Sequence, residues 1–272
     1  MPRHAALTDR ALIDVAGPDW RSFLQGLLTQ EVEALAEGEI RFGALLTPQG
    51  RLLYDLFLIG TEQGCRLDCA AQHRDALIAR LTIYRLRARV TIAPLDLPVV
   101  ALWVVEAPLA GWLADPRLPD LGLRGYGLAA PGGAASGDYD AHRLSLSVPG
   151  SADWGSDSTY PIEANFDLLN GIDFRKGCFV GQETTSRMKR RGQIKTRMAA
   201  VAYEGAALDP GSELLAGDLR AGESHSSADG VAIASLRLDR LNAGERRLPD
   251  GRAWRPELPA WMAEAHEPRT PE

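Results

Sequence analysis

Cysteine is scarce in this chain, with three among 272 residues: Cys65, Cys69 and Cys178. So few cysteines cannot build the disulfide framework of a small secreted domain, and the sequence therefore predicts a protein of a reducing compartment. Cys65 and Cys69 fall on one face of a predicted strand, and no further ligands follow at zinc or iron–sulfur spacing. We therefore expect no stably bound metal.

Long hydrophobic runs are also missing. The most apolar stretch, residues 97–113, contains two prolines and one glutamate and is shorter than the roughly 20 residues of a membrane helix. The first eight residues carry no apolar core of signal-peptide length before Asp9 and Arg10. These features predict a soluble, cytoplasmic protein with no membrane partner.

The charge of the chain is unevenly distributed. The whole sequence has a formal net charge of −6, yet residues 174–197 hold eight positive charges and one negative, Glu183. This basic segment therefore carries +7 and the rest of the chain −13. The acidic total argues against a nucleic-acid-binding protein, whereas the basic segment keeps that possibility open.

Two regions differ in their patterns. The first alternates strands and helices, which predicts an α+β domain with an antiparallel sheet over residues 1–193. The second has short runs separated by turn residues, which predicts a small β-barrel over residues 194–256, followed by a loosely held acidic tail at 257–272. The predicted strands of the first region are 11–15, 44–46, 52–59, 65–69, 88–93 and 97–106, its helices 20–29, 72–84 and 138–146, and its loops 47–50, 108–135 and 149–161. The predicted barrel strands are 196–203, 212–215, 220–224 and 230–238.

The basic segment also carries the most chemistry. Cys178 lies between Gly177 and Gly181, just before a helix predicted to begin at Gln182 and end at Gly192. Glycine permits close backbone approach to a ligand, and a helix N-terminus favours an anion or a thiolate. Lys176 would lower the pKa of a nearby thiol.

Two further expectations follow from this segment, and each has an alternative. Glu183 and Arg187 are four residues apart, which predicts an ion pair on one helix face. A single cysteine is more often a small buried hydrophobic residue than a reactive thiol, and a basic helix is usually a solvated face. The spacing alone leaves both alternatives open.

The run Lys-Gly-Cys-Phe-Val-Gly-Gln-Glu at 176–183, followed by Arg187, resembles the signature of the YgfZ-type folate-binding proteins, which are relatives of the glycine-cleavage aminomethyltransferase, or T-protein. Phe-Leu-Gln-Gly-Leu-Leu-Thr at 23–29 and Leu-Thr-Pro-Gln-Gly-Arg at 46–51 are similar to other elements of that family, as are residues 161–166 and 191–192. The resemblance spans roughly residues 7–240.

This resemblance implies a T-protein-like folate-binding body with antiparallel sheets and a C-terminal β-barrel. It implies a tetrahydrofolate-dependent accessory protein that assembles or maintains [4Fe–4S] clusters in client enzymes, including a radical-SAM tRNA-modifying enzyme. Its expected partners are folate and iron–sulfur client or assembly proteins, with tRNA reached only through a client.

The resemblance also implies roles for individual residues. Cys178 would be a reactive thiol facing the folate cavity, and Lys176 would tune it and attract the folate glutamate tail. Arg143 lies where the relatives carry an arginine near the folate; the alternative is a surface helix arginine. The predicted folate-binding residues are Lys176, Gly177, Cys178, Gly181, Gln182, Glu183, Arg187 and Arg143.

One departure from the family of catalytic relatives is visible. Aminomethyltransferases carry Asn-Ala-x-Asn after the third strand, whereas Cys69-Ala70-Ala71-Gln72 stands here. Methylene transfer needs orienting amides and a positioned carboxylate, so we predict no aminomethyl transfer. Two other functions stay open: a folate-dependent one-carbon or methyl transferase with an unknown acceptor, and a tRNA-binding module that uses residues 174–197.

Overall fold

A computed structural model describes residues 3–105, 107, 109–129, 136–192, 194–228 and 230–265. Its strands are β1 (Arg3–Ala6), β2 (Arg10–Ala16), β3 (Ile40–Leu46), β4 (Leu52–Gly60), β5 (Gly64–Ala70), β6 (Thr91–Leu95), β7 (Val99–Trp103), β8 (Leu113–Ala114), β9 (Leu123–Tyr126), β10 (Thr196–Tyr203), β11 (Glu213–Ala216), β12 (Leu219–Ala228), β13 (Val231–Arg237), β14 (Arg246–Arg247) and β15 (Trp254–Glu257). Its α-helices are α1 (Trp20–Gln25), α2 (Arg74–Arg85), α3 (Ser136–Ser145), α4 (Ser151–Trp154) and α5 (Gln182–Arg191). Of the helices in these residues, none combines the length and apolarity needed to cross a bilayer.

The first sheet has five antiparallel strands in the order β3-β4-β5-β2-β6. One face is covered by α1 and α2, whose buried side chains, Leu24, Leu77 and Leu81 among them, share a core with the strands. Pro94 lies in β6, which is an edge strand, and this is where a residue without an N–H is tolerated in a sheet.

The second sheet is antiparallel and has the order β1-β7-β9-β8. All five residues of β7 are buried, as expected of a continuous apolar strand. Strand β9 lies within residues 108–135, where the many glycines and prolines predict a loop. A strand of four residues is too short to show a clear alternation of apolar and polar side chains.

The third sheet has the order β14-β11-β12-β13-β10-β15. An isolated bridge between Arg247 and Ala253 joins its two edges, so the sheet curls towards closure around a separate apolar core. Strand β10 has the predicted bounds. The α+β class and the C-terminal β-barrel are both confirmed.

Three local predictions differ from the structure. Helix α1 ends at Gln25, earlier than the predicted end at 29. The predicted loop at 149–161 contains α4. The expected loose tail is partly packed, since Met262 is fully buried in a short 3-10 helix over Ala260–Ala265. Residues 266–272 and the Pro-Gly-Gly turn at 131–133 lie outside the described residues.

The first two sheets are joined by a buried ionic network centred on Asp68 of β5. Its carboxylate accepts hydrogen bonds from Arg10 Nε of β2 at 2.7 Å, from Arg124 Nη2 of β9 at 2.7 Å and from the Tyr126 hydroxyl at 2.9 Å. Burial alone would raise the pKa of Asp68, but attraction to the two guanidinium groups outweighs it and lowers the pKa. The carboxylate is therefore ionised and holds β9 against β5.

Replacing Asp68 with alanine should destabilise the protein by about 3–5 kcal/mol, because the change leaves Arg10 and Arg124 buried without one of their counter-charges. Urea unfolding followed by circular dichroism measures this loss. Asp96→Ala is the matched control: its carboxylate pairs with Arg74 at 2.9 Å but is 88% exposed, so no measurable change is expected. Equal losses in the two variants would contradict a special role for the buried network.

Candidate functional site

The signature loop, residues 174–181, is fixed from beneath by Lys176. This side chain is buried, and its amine donates hydrogen bonds to the carbonyl oxygens of Gln25 at 2.7 Å, Leu28 at 2.6 Å and Gln30 at 2.8 Å. Burial lowers the pKa of Lys176 to about 8, so at neutral pH the amine still carries the three protons that these carbonyls accept. Lys176 is thus committed to the backbone after α1 and has no donor left for a folate tail.

Gly181 fixes the other end of the loop through close backbone contacts. Its φ is +82°, and a Cβ built there would lie 2.7 Å from the Thr47 carbonyl oxygen and 2.8 Å from the Gly50 Cα. The loop therefore rests directly on the turn between β3 and β4. Gly177 has neither constraint, because nothing lies within 4 Å of its built Cβ.

Cys178 lies between these two anchors and is exposed, whereas Cys65 and Cys69 are buried. Burial raises the pKa of the Cys65 thiol well above its usual value and that of Cys69 to about 12. Cys178 is therefore the one thiol of the chain that solvent and a partner can reach. The alternative of a buried hydrophobic cysteine applies to Cys65 and Cys69 and not to Cys178.

Helix α5 begins at Gln182 and is followed by Gly192 in the left-handed conformation, as the sequence predicts. The expected ion pair between Glu183 and Arg187 is wrong: both residues are exposed, and no bond joins them in the described structure. An exposed pair gains little because solvent screens it and ordering two long side chains costs entropy. Gly181 is the N-cap of α5.

The basic segment presents less charge to solvent than its sequence suggests. Arg197 is buried and pairs with Asp167, which Lys189 also contacts at 3.2 Å. Lys176 is buried and donates its hydrogen bonds to backbone carbonyl groups. The exposed cations near Cys178 in sequence are Arg175, Arg187, Arg190, Arg191 and Lys195.

A separate cavity of about 420 Å³ lies among β2, β4, α3, α4 and β12. Four arginines line it: Arg10, Arg117, Arg124 and Arg143. The first three surround the ring of Phe57, with guanidinium carbons 5.5, 4.9 and 3.9 Å from its centroid. All four arginines form ion pairs with aspartates, so positive and negative side chains alternate along the cavity wall and hold one another in place.

The predicted folate-binding residues divide between these two places. Arg143 lines the cavity, and the seven residues from Lys176 to Arg187 do not. Cys178 does not line this cavity, because the anchors at Lys176 and Gly181 hold the loop on the β3–β4 turn with its thiol in solvent. Its predicted position in the folate site stays a prediction.

Arg143 is neither a surface arginine nor a free ligand-binding group. It is buried and donates to the Val148 carbonyl at 2.8 Å, to Asp153 at 2.9 Å and to Asp140 at 3.2 Å, with a longer bond to Ser226. These bonds join α3, α4 and β12. Arg143 therefore shapes the cavity wall by holding three elements together.

Sequence reasoning missed Asp55, which lines the cavity from β4. Its two carboxylate oxygens accept hydrogen bonds from Ser151 at 2.6 Å and from Arg10 at 3.0 Å. A signal was present: Asp55 is a lone carboxylate within the apolar run 52–59, and a buried charge in a strand requires a partner.

Comparison with known proteins places the chain in a family. Residues 195–264 match the family model for the C-terminal β-barrel domain of CAF17. The human mitochondrial iron–sulfur cluster assembly factor IBA57 is 32% identical over 276 residues, covering 88% of this chain and 75% of the human protein. The mouse protein of the same name is 30% identical, covering 86% and 77%. The chain belongs to the IBA57 family.

Family membership supports the YgfZ-type resemblance at the level of this wider group. The mitochondrial IBA57 homologue of Neurospora crassa is 33% identical over 74% of this chain, which spans just over half, 54%, of that protein. The expectation of a cytoplasmic protein is contradicted, because these relatives are all named mitochondrial. Scarce cysteine argues against a disulfide framework but does not distinguish the cytoplasm from the mitochondrion.

The fold has a solved counterpart. The glycine-cleavage aminomethyltransferase T of Bartonella henselae superimposes with a TM-score of 0.73 over 97% of this chain and 87% of that structure, at 17% identity. This likeness confirms the T-protein-like fold.

The two glycines of the signature loop should respond differently to alanine. Gly181→Ala should lower the free energy of unfolding by about 2–4 kcal/mol, because it adds a Cβ against the Thr47 carbonyl at a strained positive φ. Gly177→Ala should change it by less than about 0.5 kcal/mol. Urea denaturation of both variants tests the pair, and a tolerated Gly181→Ala would show that the loop does not depend on this contact.

Proposed function

We propose that this protein assists the assembly or maintenance of [4Fe–4S] clusters in client enzymes. Membership of the IBA57 family supports a role in iron–sulfur cluster assembly, since its relatives are named as assembly factors. The clients inferred from the signature resemblance include a radical-SAM tRNA-modifying enzyme. In this proposal tRNA is reached only through that client.

The observation that carries the proposal is the presentation of Cys178. Its backbone is held between the Lys176 and Gly181 anchors while its thiol remains exposed. A thiolate is a preferred ligand of iron–sulfur clusters, which take four such ligands. One thiol supplies one ligand, so the others come from a client or assembly protein and the contact is transient.

The surroundings of Cys178 suit a protein partner with an acidic face. Arg175 has a side chain 95% exposed, and α5 adds exposed arginines at 187, 190 and 191. Complementary charge raises association rates and orients the encounter. The basic segment is thus assigned to recruiting partner proteins to the thiol.

The cavity is the proposed tetrahydrofolate site. Its volume falls within the range of about 300–1,000 Å³ typical of small-molecule pockets. Leu7 and Leu144 supply an apolar wall. The Asp55 carboxylate accepts one hydrogen bond on each oxygen and so keeps acceptor positions for the N–H groups of a pterin edge. The carboxylate acceptor and the apolar wall therefore fit the ring of tetrahydrofolate, which when bound would carry one-carbon units.

The test uses cells from which the gene for their own member of this family is deleted and into which this chain is introduced. Cys178→Ser should leave the [4Fe–4S] enzyme activity of these cells at the level of the deletion strain. Serine keeps the size of the side chain but loses the thiolate that binds iron. The activity of a [4Fe–4S] dehydratase, normalised to its protein level, is the measurement. Cys69→Ala is the matched control and should complement fully, because the Cys69 thiol is buried. Failure of the unaltered chain to complement would refute the cluster role, and full activity of Cys178→Ser would refute the thiol role alone.

Tetrahydrofolate should bind the purified protein saturably in isothermal titration calorimetry. Asp55→Asn should weaken binding at least about ten-fold, because a neutral amide replaces a charged acceptor. Cys178→Ala should leave the affinity unchanged, since Cys178 does not line the cavity. Absence of saturable binding would remove folate from the proposal without affecting the test of the thiol.

A further inference from the structure

The C-terminal end of α2 exposes two large aliphatic side chains. Leu86 is 89% exposed and Ile83 69%, more than any other large hydrophobic residue described. Ile83 lies in the last turn of α2, and Leu86 directly follows the last residue of the helix. The helix is packed in the usual way, because Leu77 and Leu81 lie in the core. Ile83 and Leu86 are therefore exposed although the apolar face of α2 is already buried.

Leu86 is also held in an unusual backbone conformation. It follows the last residue of α2 with φ at +44° and ψ at −105°, a region that a branched side chain rarely adopts. The conformation is strained and directs the chain into β6 without burying the leucine. Strain of this kind is a reason to look for a function at the residue.

Positive charge surrounds the two aliphatic side chains. Between residues 74 and 89 the sequence holds five arginines and one aspartate. Arg74 pairs with Asp96 and Arg89 with Asp19. The other three, Arg80, Arg85 and Arg87, are exposed, and their side chains form no hydrogen bond or ion pair within the described part of the chain.

We propose that this α2 tip, formed by Ile83 and Leu86 with Arg80, Arg85 and Arg87, docks the protein onto the surface of an anionic phospholipid bilayer. The aliphatic side chains enter the boundary between headgroups and acyl chains, and the arginines bind lipid phosphates. Peripheral docking of this kind needs no membrane-spanning helix. It adds a membrane partner that the sequence analysis did not expect.

The geometry favours lipid over an acidic protein. Exposed aliphatic side chains flanked by exposed arginines are the composition of segments that lie on anionic membrane surfaces. The two aliphatic groups stand out from the surface at a helix end. A bilayer accepts such a protruding tip without a matching shape.

Vesicle sedimentation tests the proposal with the full-length protein. We expect it to sediment with vesicles of equal parts phosphatidylglycerol and phosphatidylcholine and to remain in solution with phosphatidylcholine alone. Leu86→Asn should lower the bound fraction while leaving the urea midpoint of unfolding nearly unchanged, because the Leu86 side chain is exposed. Loss of binding then cannot be attributed to unfolding.

The arginines are tested by a matched pair of triple variants. Arg80→Gln, Arg85→Gln and Arg87→Gln together should reduce the vesicle partition coefficient by about 100-fold, at about five-fold for each charge. Arg175→Gln, Arg190→Gln and Arg191→Gln remove the same charge from the Cys178 region and should have a much smaller effect. Equal effects of the two triples, equal binding to neutral vesicles, unchanged binding of Leu86→Asn, or no vesicle binding at all would overturn the proposal. Tip-dependent binding to polyglutamate without vesicle binding would assign the tip to an acidic protein instead.

Discussion

The carboxylate of Asp68 joins the first two sheets beside the cavity. It joins Arg10 of β2 to Arg124 and Tyr126 of β9, and both Asp68 and Arg124 are buried. Buried charges are costly unless each is paired and hydrogen-bonded, so the positions of these side chains are tightly determined. Asp115 extends the network by binding Arg117 at 2.8 Å and Arg124 at 3.5 Å. The arrangement of β2, β5 and β9 thereby follows from the geometry of a few ion pairs as well as from apolar packing.

The same network determines what the cavity can recognise. The arginines of the cavity already form ion pairs with aspartates, and three of these arginines lie around the Phe57 ring. An anionic ligand would have to displace these partners, whereas a neutral heteroaromatic ring needs only a carboxylate with spare acceptor positions and an apolar wall. Asp55, Leu7 and Leu144 offer these groups. For this reason the proposed ligand contact is the pterin edge rather than the folate glutamate tail.

Local features of the fold were predictable from the sequence, and contacts between distant segments were not. Helix α5 starts and ends where Gly181 and Gly192 adopt positive φ, a requirement that depends on neighbouring residues alone. The bonds of Lys176, by contrast, reach residues about 150 positions earlier in the chain, and those between Asp68 and Arg124 span 56. No spacing rule anticipates such partners. The motif thus identified the cysteine, while the direction of its thiol depended on packing against the β3–β4 turn.

That direction separates the two chemistries of the proposed function. A ligand in the cavity does not contact Cys178, because the thiol lies outside and Lys176 fixes its loop to the backbone after α1. Direct transfer of a one-carbon unit from folate to this thiol would require the three Lys176 bonds and the Gly181 contact to break. A thiol fixed in solvent is instead accessible to another protein, whose own ligands complete the coordination of iron. Folate in the cavity would then act through the stability or shape of the body, and Cys178 through the partner that docks beside it.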